Sequence, residues 1–204
     1  MSPDVYVAYL LATIVIVIIP GPTVTLIVAN SLTHGTRAGM LNVLGTQVGL
    51  AVSIALVALG LSSVIAGMGW WFDWVRLAGA AYLVWLGWKL IRAGGTLQAA
   101  ASPRVPRGGF LLQGALVMLS NPKTLFFFGA FLPQFLDPAR DFYQQILIMG
   151  PTAMAVALMS DGFYALAVGR ARSLLTERRV RLVNRAGGAC LIGGGLWLAF
   201  SRSR

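Results

Sequence analysis

The chain has 204 residues, 57% of them apolar and only 11% charged, with a mean hydropathy of +0.77. A soluble domain carries about 25% charged residues, so this balance excludes a water-facing surface of normal extent. The net charge of +10, from 16 Lys+Arg against 6 Asp+Glu, would suit a nucleic-acid binder. The long uncharged runs point instead to a membrane protein whose basic loops face anionic lipid and cytosol.

Six membrane-crossing helices are predicted. The first lies in Val5–Thr33, a run without acid, base or histidine and longer than the ~20 residues a bilayer requires. Met1–Val5 has no basic n-region, so this run reads as a span and not as a signal peptide. The second extends from Ala38 to Phe72, with Gly69-Trp70-Trp71 at its interfacial end. The third centres on Leu77–Trp88 and reaches Val75–Ile91 if Arg76 and Lys89 snorkel. Gly108–Leu136, with Lys123 inside it, is the fourth; Phe142–Gly169, interrupted only by Asp161, is the fifth. The short, Gly-rich Ala186–Ser201 is the sixth. It holds Cys190, the single cysteine, which excludes an intrachain disulfide and a cysteine-built metal cage.

The loops after spans one, three and five hold eleven basic residues and the opposite side four, which predicts both termini on the non-cytoplasmic side. Trp70, Trp71 and Trp74 then form an outer aromatic belt, with Trp85 and Trp88 toward the inner face. The polar stretch Arg170–Arg185 lacks interleaved aromatics and reads as an inner loop, not a nucleic-acid module.

Three spans on either side of a flexible connector imply halves of opposite orientation. The expectation is an all-α membrane protein forming one transmembrane domain: repeat one over 1–94, an inner connector over 95–107 and repeat two over 108–204. Two correspondences support it. Gly21-Pro22 interrupts the first span and Asn121-Pro122 the fourth, one hundred residues on. Arg76-Leu77-Ala78-Gly79-Ala80 and Arg185-Ala186-Gly187-Gly188-Ala189 share the pattern R-x-x-G-A.

Proline favours the first position of a helix, and Gly or Asn is an acceptable cap before it. Each dipeptide therefore predicts the start of a half-helix inside the membrane, whose unpaired amides find no partner in lipid. In inverted halves the two starts approach the midplane from opposite sides and present donors to one central cavity. A carboxylate is a natural occupant. A lone proline in a membrane helix is more often a packing kink; paired breaks in corresponding positions favour a binding site.

These residues resemble the LysE/RhtB amino-acid exporters. Pro20-Gly21-Pro22 is similar to the family signature, as are Gly35 and Gly39, Gly45-x-x-x-Gly49, and Gly79-Ala80-Ala81-Tyr82-Leu83-x-x-Leu86-Gly87. Asn121-Pro122-Lys123 followed by Phe131-Leu132-Pro133-Gln134-Phe135 resembles the family's fourth-span motif. The likeness runs from about Tyr9 to Leu198. It implies a small exporter of amino acids or close derivatives in the bacterial inner membrane, driven by the proton motive force and needing no cofactor. Some relatives carry an acid immediately after the second-span GxxxG; Leu50 in its place leans away from lysine or arginine as cargo.

Asp161 is the only acid deep in a span, so it should face the interior and either pair or take a proton. It is the candidate proton-coupling residue or partner of a substrate ammonium, with a structural ion pair to Lys123 as the competing role. Lys123 could hold a substrate carboxylate, balance Asp161, or snorkel. Pro20, Gly21, Pro22, Thr23, Thr25, Gln47, Asn121, Pro122 and Lys123 form the candidate substrate site; Thr23, Thr25 and Gln47 serve equally well as interhelical glue. Gly45 and Gly49 read as close packing, His34 as a solvated loop residue, Cys190 as small packing, and Phe126–Phe128 as lipid-facing or core.

The implied partners are a small amino-acid-like substrate, protons, membrane lipid and, as in many three-plus-three carriers, a second copy of the chain; no nucleic acid is expected. An intramembrane enzyme is the main rival. It lacks a second carboxylate for an aspartyl dyad and an H-E-x-x-H zinc motif, and Pro122 disturbs the Ser120/Lys123 spacing. A non-transporting membrane scaffold is the other. No G-x-x-x-x-G-K-[ST] motif occurs, so ATP is not the direct energy source.

Overall fold

Two glycyl- or asparaginyl-proline breaks and a set of helix crossings at glycine organise the fold. A computed structural model describes residues 2–59, 69–92, 106–137, 139–171 and 177–200. The expected connector over 95–107 lies almost wholly outside the described residues, as do Arg202 and Arg204.

Among the described residues there are eight α-helices and no strand. They are α1 (Pro3–Ile18), α2 (Pro22–His34), α3 (Thr36–Ala58), α4 (Gly69–Arg92), α5 (Gly109–Leu119), α6 (Pro122–Phe126), α7 (Phe142–Ala171) and α8 (Glu177–Phe200). A π-helical turn, Phe127–Phe131, and a 3-10 turn, Leu132–Phe135, continue α6. Of these, α3 and α7 are each long and apolar enough to cross a membrane, and α1 with α2 qualifies as one span bent by 50°. The other expected crossings do not meet that measure alone, because α5 ends at Leu119 and α4 and α8 carry several charges.

Element boundaries differ from the sequence expectation in three places. The run Ala38–Phe72 is not one span: α3 ends at Ala58, and Gly69–Phe72 already belong to α4. The basic stretch Arg170–Arg185, expected as a loop, is helical from Glu177 onward, since arginine is a good helix former and charge alone does not end a helix. His34 is not a loop residue but the last of α2, half-buried with its ring edge-on to Phe110 at 4.8 Å. Cys190, expected as packing, is exposed on α8.

The polarity pattern is that of a protein in lipid. Large apolar side chains such as Val15, Leu147, Met159, Phe163 and Phe200 face outward, while Thr13, Asn42, Thr46, Asn121, Gln145 and Asp161 are buried. Among the described residues, three apolar clusters fill the inside, around Tyr9 with Phe127 and Met149, Leu83 with Leu191, and Ile27 with Val43.

Glycine sets the closest helix approaches. On α3, a Cβ at Gly49 would lie 2.8 Å from the Ala115 carbonyl oxygen of α5, and one at Gly45 would strike the Leu111 carbonyl. Gly45 and Gly49 are therefore a crossing point, as their spacing suggests. Between α4 and α8, a Cβ at Gly87 would lie 2.5 Å from the Gly188 oxygen, and one at Gly188 2.6 Å from that of Gly87. A buried amide cluster ties α2, α3 and α5: Asn30 Nδ2 donates to Asn42 Oδ1 at 2.7 Å and to Gln113 Oε1 at 2.9 Å, and Asn42 Nδ2 donates to the Phe110 carbonyl at 2.6 Å.

Candidate functional site

Both proline breaks interrupt the helical ladder. After α1 the chain is extended at Ile19 (φ −63°, ψ 118°) and Gly21 (φ −136°, ψ −166°), and α2 starts with Pro22 at its first turn. After α5, Ser120 (φ −88°, ψ 0°) and Asn121 (φ −78°, ψ 118°) precede Pro122 in the same way. The two starts meet. Asn121 Nδ2 points at Thr23 Oγ1, 3.5 Å away, and a Cβ built on Gly194 of α8 would lie 3.3 Å from Pro22 Cγ and 3.7 Å from Pro122 Cγ.

The two tips are not equivalent, although the repeat predicts that both offer donors. Asn121 Oδ1 accepts the Lys123 amide at 3.0 Å, so α6 is capped by its own side chain, and it spans only five residues. Gly21 has no side chain with which to cap, and α2 runs for thirteen residues from an N-terminus without a side-chain cap. Of the two tips, only that of α2 therefore leaves the positive end of its dipole and its first amides without a side-chain acceptor among the described residues.

A cavity lies against these tips. Ile16 and Val17 of α1, Thr23 and Val24 of α2, and Leu50 of α3 form one side. Met118, Asn121, Lys123, Thr124 and the π-turn residues Phe127 and Phe128 form another, and Ala153, Ala157 and Asp161 of α7 close it. Asp161 is 5% exposed. Thr46 Oγ1 lies 3.3 Å from Asp161 Oδ2 and 2.8 Å from the Val43 carbonyl. A hydroxyl has one hydrogen, so it serves one of these acceptors at a time.

Lys123 forms no ion pair with Asp161 within 4 Å among the described residues, although the two interact through their charges. Its Nζ donates to backbone instead, to the Ile19 carbonyl at 2.7 Å and the Val17 carbonyl at 3.3 Å. Tyr164 of α7 donates to the Ile18 carbonyl at 3.3 Å.

Of the residues singled out in the sequence, Thr23, Asn121, Lys123 and Asp161 share the cavity wall. Gly21, Pro22 and Pro122 shape the breaks beside it, and Pro20 is exposed. Thr25 turns instead toward Gly187 of α8. Gln47 lies half-buried off the cavity, its Nε2 without a hydrogen-bond partner among the described residues. Thr46, Thr124 and Tyr164 carry no sequence signal of their own; Thr46 is adjacent to Gln47, and one residue along a helix turns the side chain by about 100°.

Comparison with known proteins decides the family. A family model described as LysE type translocator matches residues 14–202. The chain belongs to the LysE family. It is 34% identical over the full length of both chains to an uncharacterized membrane protein of Vibrio cholerae. It is 31% identical to a homoserine/homoserine lactone efflux protein of Salmonella typhimurium, covering 99% of each chain. It is also 34% identical to a leucine efflux protein of Salmonella choleraesuis, over 65% of this chain and 63% of that one. No solved structure matches. Membership of the LysE family, with relatives named as efflux proteins, indicates a membrane transporter and not an enzyme.

Proposed function

We propose that the chain is a secondary carrier that exports a small amino acid or close derivative, bound as a zwitterion between the two breaks. The observation that carries this reading is the meeting, in one cavity, of the uncapped start of α2 with the buried carboxylate of Asp161. A zwitterion asks for just that pair. Its carboxylate takes the first amides of α2 at the positive end of the helix dipole, with Thr23 beside them. Its ammonium pairs with Asp161. The side chain then lies against Ile16, Leu50 and Met118, a wall with no second acid among the described residues for the cation of a lysine or arginine. The relatives named for homoserine and leucine efflux support a neutral cargo.

Asp161 is the proton carrier on this reading. Protonated, it can donate to Thr46 Oγ1, whose own hydrogen then goes to the nearer Val43 carbonyl; ionised, it accepts from Thr46 or from a substrate ammonium. Proton and substrate thus compete for one carboxylate, the simplest basis for exchange of one against the other. The wider frame is six crossings in two inverted repeats, with both termini on the non-cytoplasmic side of a bacterial inner membrane.

Purified protein in liposomes loaded with labelled leucine or homoserine tests the reading. Exchange of labelled for unlabelled substrate, with net movement only when a pH gradient is imposed, is the expected result. Absence of both across all twenty amino acids, homoserine and its lactone would overturn it.

A further inference from the structure

The end of α1 facing the first break is tied down from the other half of the chain. A helix end leaves its last carbonyls without amide partners, and neither Pro20 nor Pro22 has an N–H to offer. Three consecutive carbonyls, those of Val17, Ile18 and Ile19, receive side-chain donors instead. Lys123 Nζ serves the first and third, at 3.3 and 2.7 Å, and Tyr164 the second. The lysine stem reaches them past Gly21, where an added Cβ would sit 3.8 Å from Lys123 Cδ.

Converging carbonyls at the C-terminal end of a half-helix are what ion-coupled carriers offer to a sodium ion. An ammonium meets the same demand, bringing one positive charge and no acceptor of its own to hard oxygen ligands. With no ion pair to Asp161 within 4 Å among the described residues, the Lys123 ammonium finds its hydrogen-bond acceptors in these carbonyls. We propose that the Lys123 ammonium is a tethered substitute for an alkali-metal ion at the broken end of α1, so that the protein holds its first break without sodium. Lys123 is then a positioning residue, not a ligand of the substrate carboxylate.

The transport arm of the test rests on the carrier reading; the stability arm does not. Thermal unfolding of purified wild type, Lys123→Ala, Lys123→Gln and Lys123→Arg is measured in sodium, lithium, potassium and choline chloride at one ionic strength. Wild type and Lys123→Arg should unfold at the same temperature in every salt. Lys123→Ala should unfold earlier in choline and recover, saturably, as sodium or lithium replaces it. In liposomes, leucine or homoserine exchange by Lys123→Ala should fall about tenfold or more in choline, because both charge-assisted contacts of Nζ are lost, and return in sodium.

Equal destabilisation in all four salts would reduce Lys123 to an ordinary hydrogen-bond donor and overturn the proposal. So would unchanged stability of Lys123→Ala in choline, or sodium dependence in wild type. Should Lys123→Ala not fold in any salt, Lys123→Gln decides: its neutral amide must leave a sodium requirement, and full stability in choline would show that charge is not needed. If wild type exchanges no substrate while Lys123→Ala gains sodium-dependent stability, the export reading fails and the tethered cation stands.

Discussion

Among the described residues, Asp161 is held by one shared hydroxyl. With Thr46 lying nearer the Val43 carbonyl than the carboxylate, and with Lys123 engaged elsewhere, the acid keeps capacity for a proton or an ammonium. Asp161→Asn fixes the site in a neutral form. The variant is expected to fold, since an amide can both donate to and accept from Thr46, and to lose movement driven by a pH gradient. Gradient-driven export at the wild-type rate in Asp161→Asn liposomes would remove this residue from coupling. Thr46→Val tests the partner: it should keep exchange but change its dependence on pH, because the protonated acid loses its acceptor. Asp161 was legible in the sequence because it is the only acid deep in a long apolar run. Thr46 was not, because residue type alone does not give helix phase, and Gln47 next to it carries the stronger polar signal while facing elsewhere.

At the scale of elements, the two breaks share a cause and differ in consequence. Proline without an N–H ends each ladder, which is why both sites could be read from dipeptides. The residue before the proline decides what remains free: Asn121 caps α6, and Gly21 leaves α2 open. Gly21→Ser supplies the missing hydroxyl to the amides of Thr23 and Val24. Position 21 has an extended backbone, and a Cβ there meets Lys123 Cδ at 3.8 Å, so the substitution fits. Stability should hold or rise by a few tenths of a kcal/mol, as a better cap gives. Half-saturation for substrate should rise about tenfold, because the hydroxyl competes for charge-assisted bonds worth about 1.5–3 kcal/mol. Unchanged affinity in transport titrations would mean that α2 does not bind the carboxylate. The α3–α5 crossing makes the opposite prediction. Gly49→Leu, driven into the Ala115 carbonyl and Met118, should destabilise by about 1–3 kcal/mol or more, read as a lower unfolding temperature in detergent. The π-turn at Phe127–Phe131, with two of its rings on the cavity, left no readable mark, since every residue in Phe-Phe-Gly-Ala-Phe is compatible with an ordinary helix.

Across the whole molecule, the sequence conveyed the class through hydropathy and the family through ordered motifs, but not where every helix begins. Charge misled twice: it set the start of the last helix at Ala186 when α8 begins at Glu177, and it joined Gly69–Phe72 to the wrong span because no charge intervenes. A membrane sorts side chains by polarity, while the backbone continues through arginine without penalty once outside the hydrocarbon. Charge is the better guide to orientation. The basic residues predicted on the inner side outnumber those outside by eleven to four, and α4 carries its share at one end, with Lys89 over the Trp85 ring at 5.1 Å and Arg92 over Trp88 at 4.5 Å. Such cation–aromatic pairs suit the interface, where a ring sits at headgroup depth and the cation meets anionic lipid. Orientation can be read by membrane-impermeant thiol labelling in intact cells. Cys190 is exposed and must first become serine. Cysteines then placed at Ser2 and Ser203 should label from outside, and one at Thr96 only after the membrane is opened. Labelling of Ser2→Cys and Thr96→Cys from the same side would leave an even number of crossings in the first half. The two halves could not then be inverted copies, and the cavity between α2 and α6 would have to serve a carrier of some other symmetry.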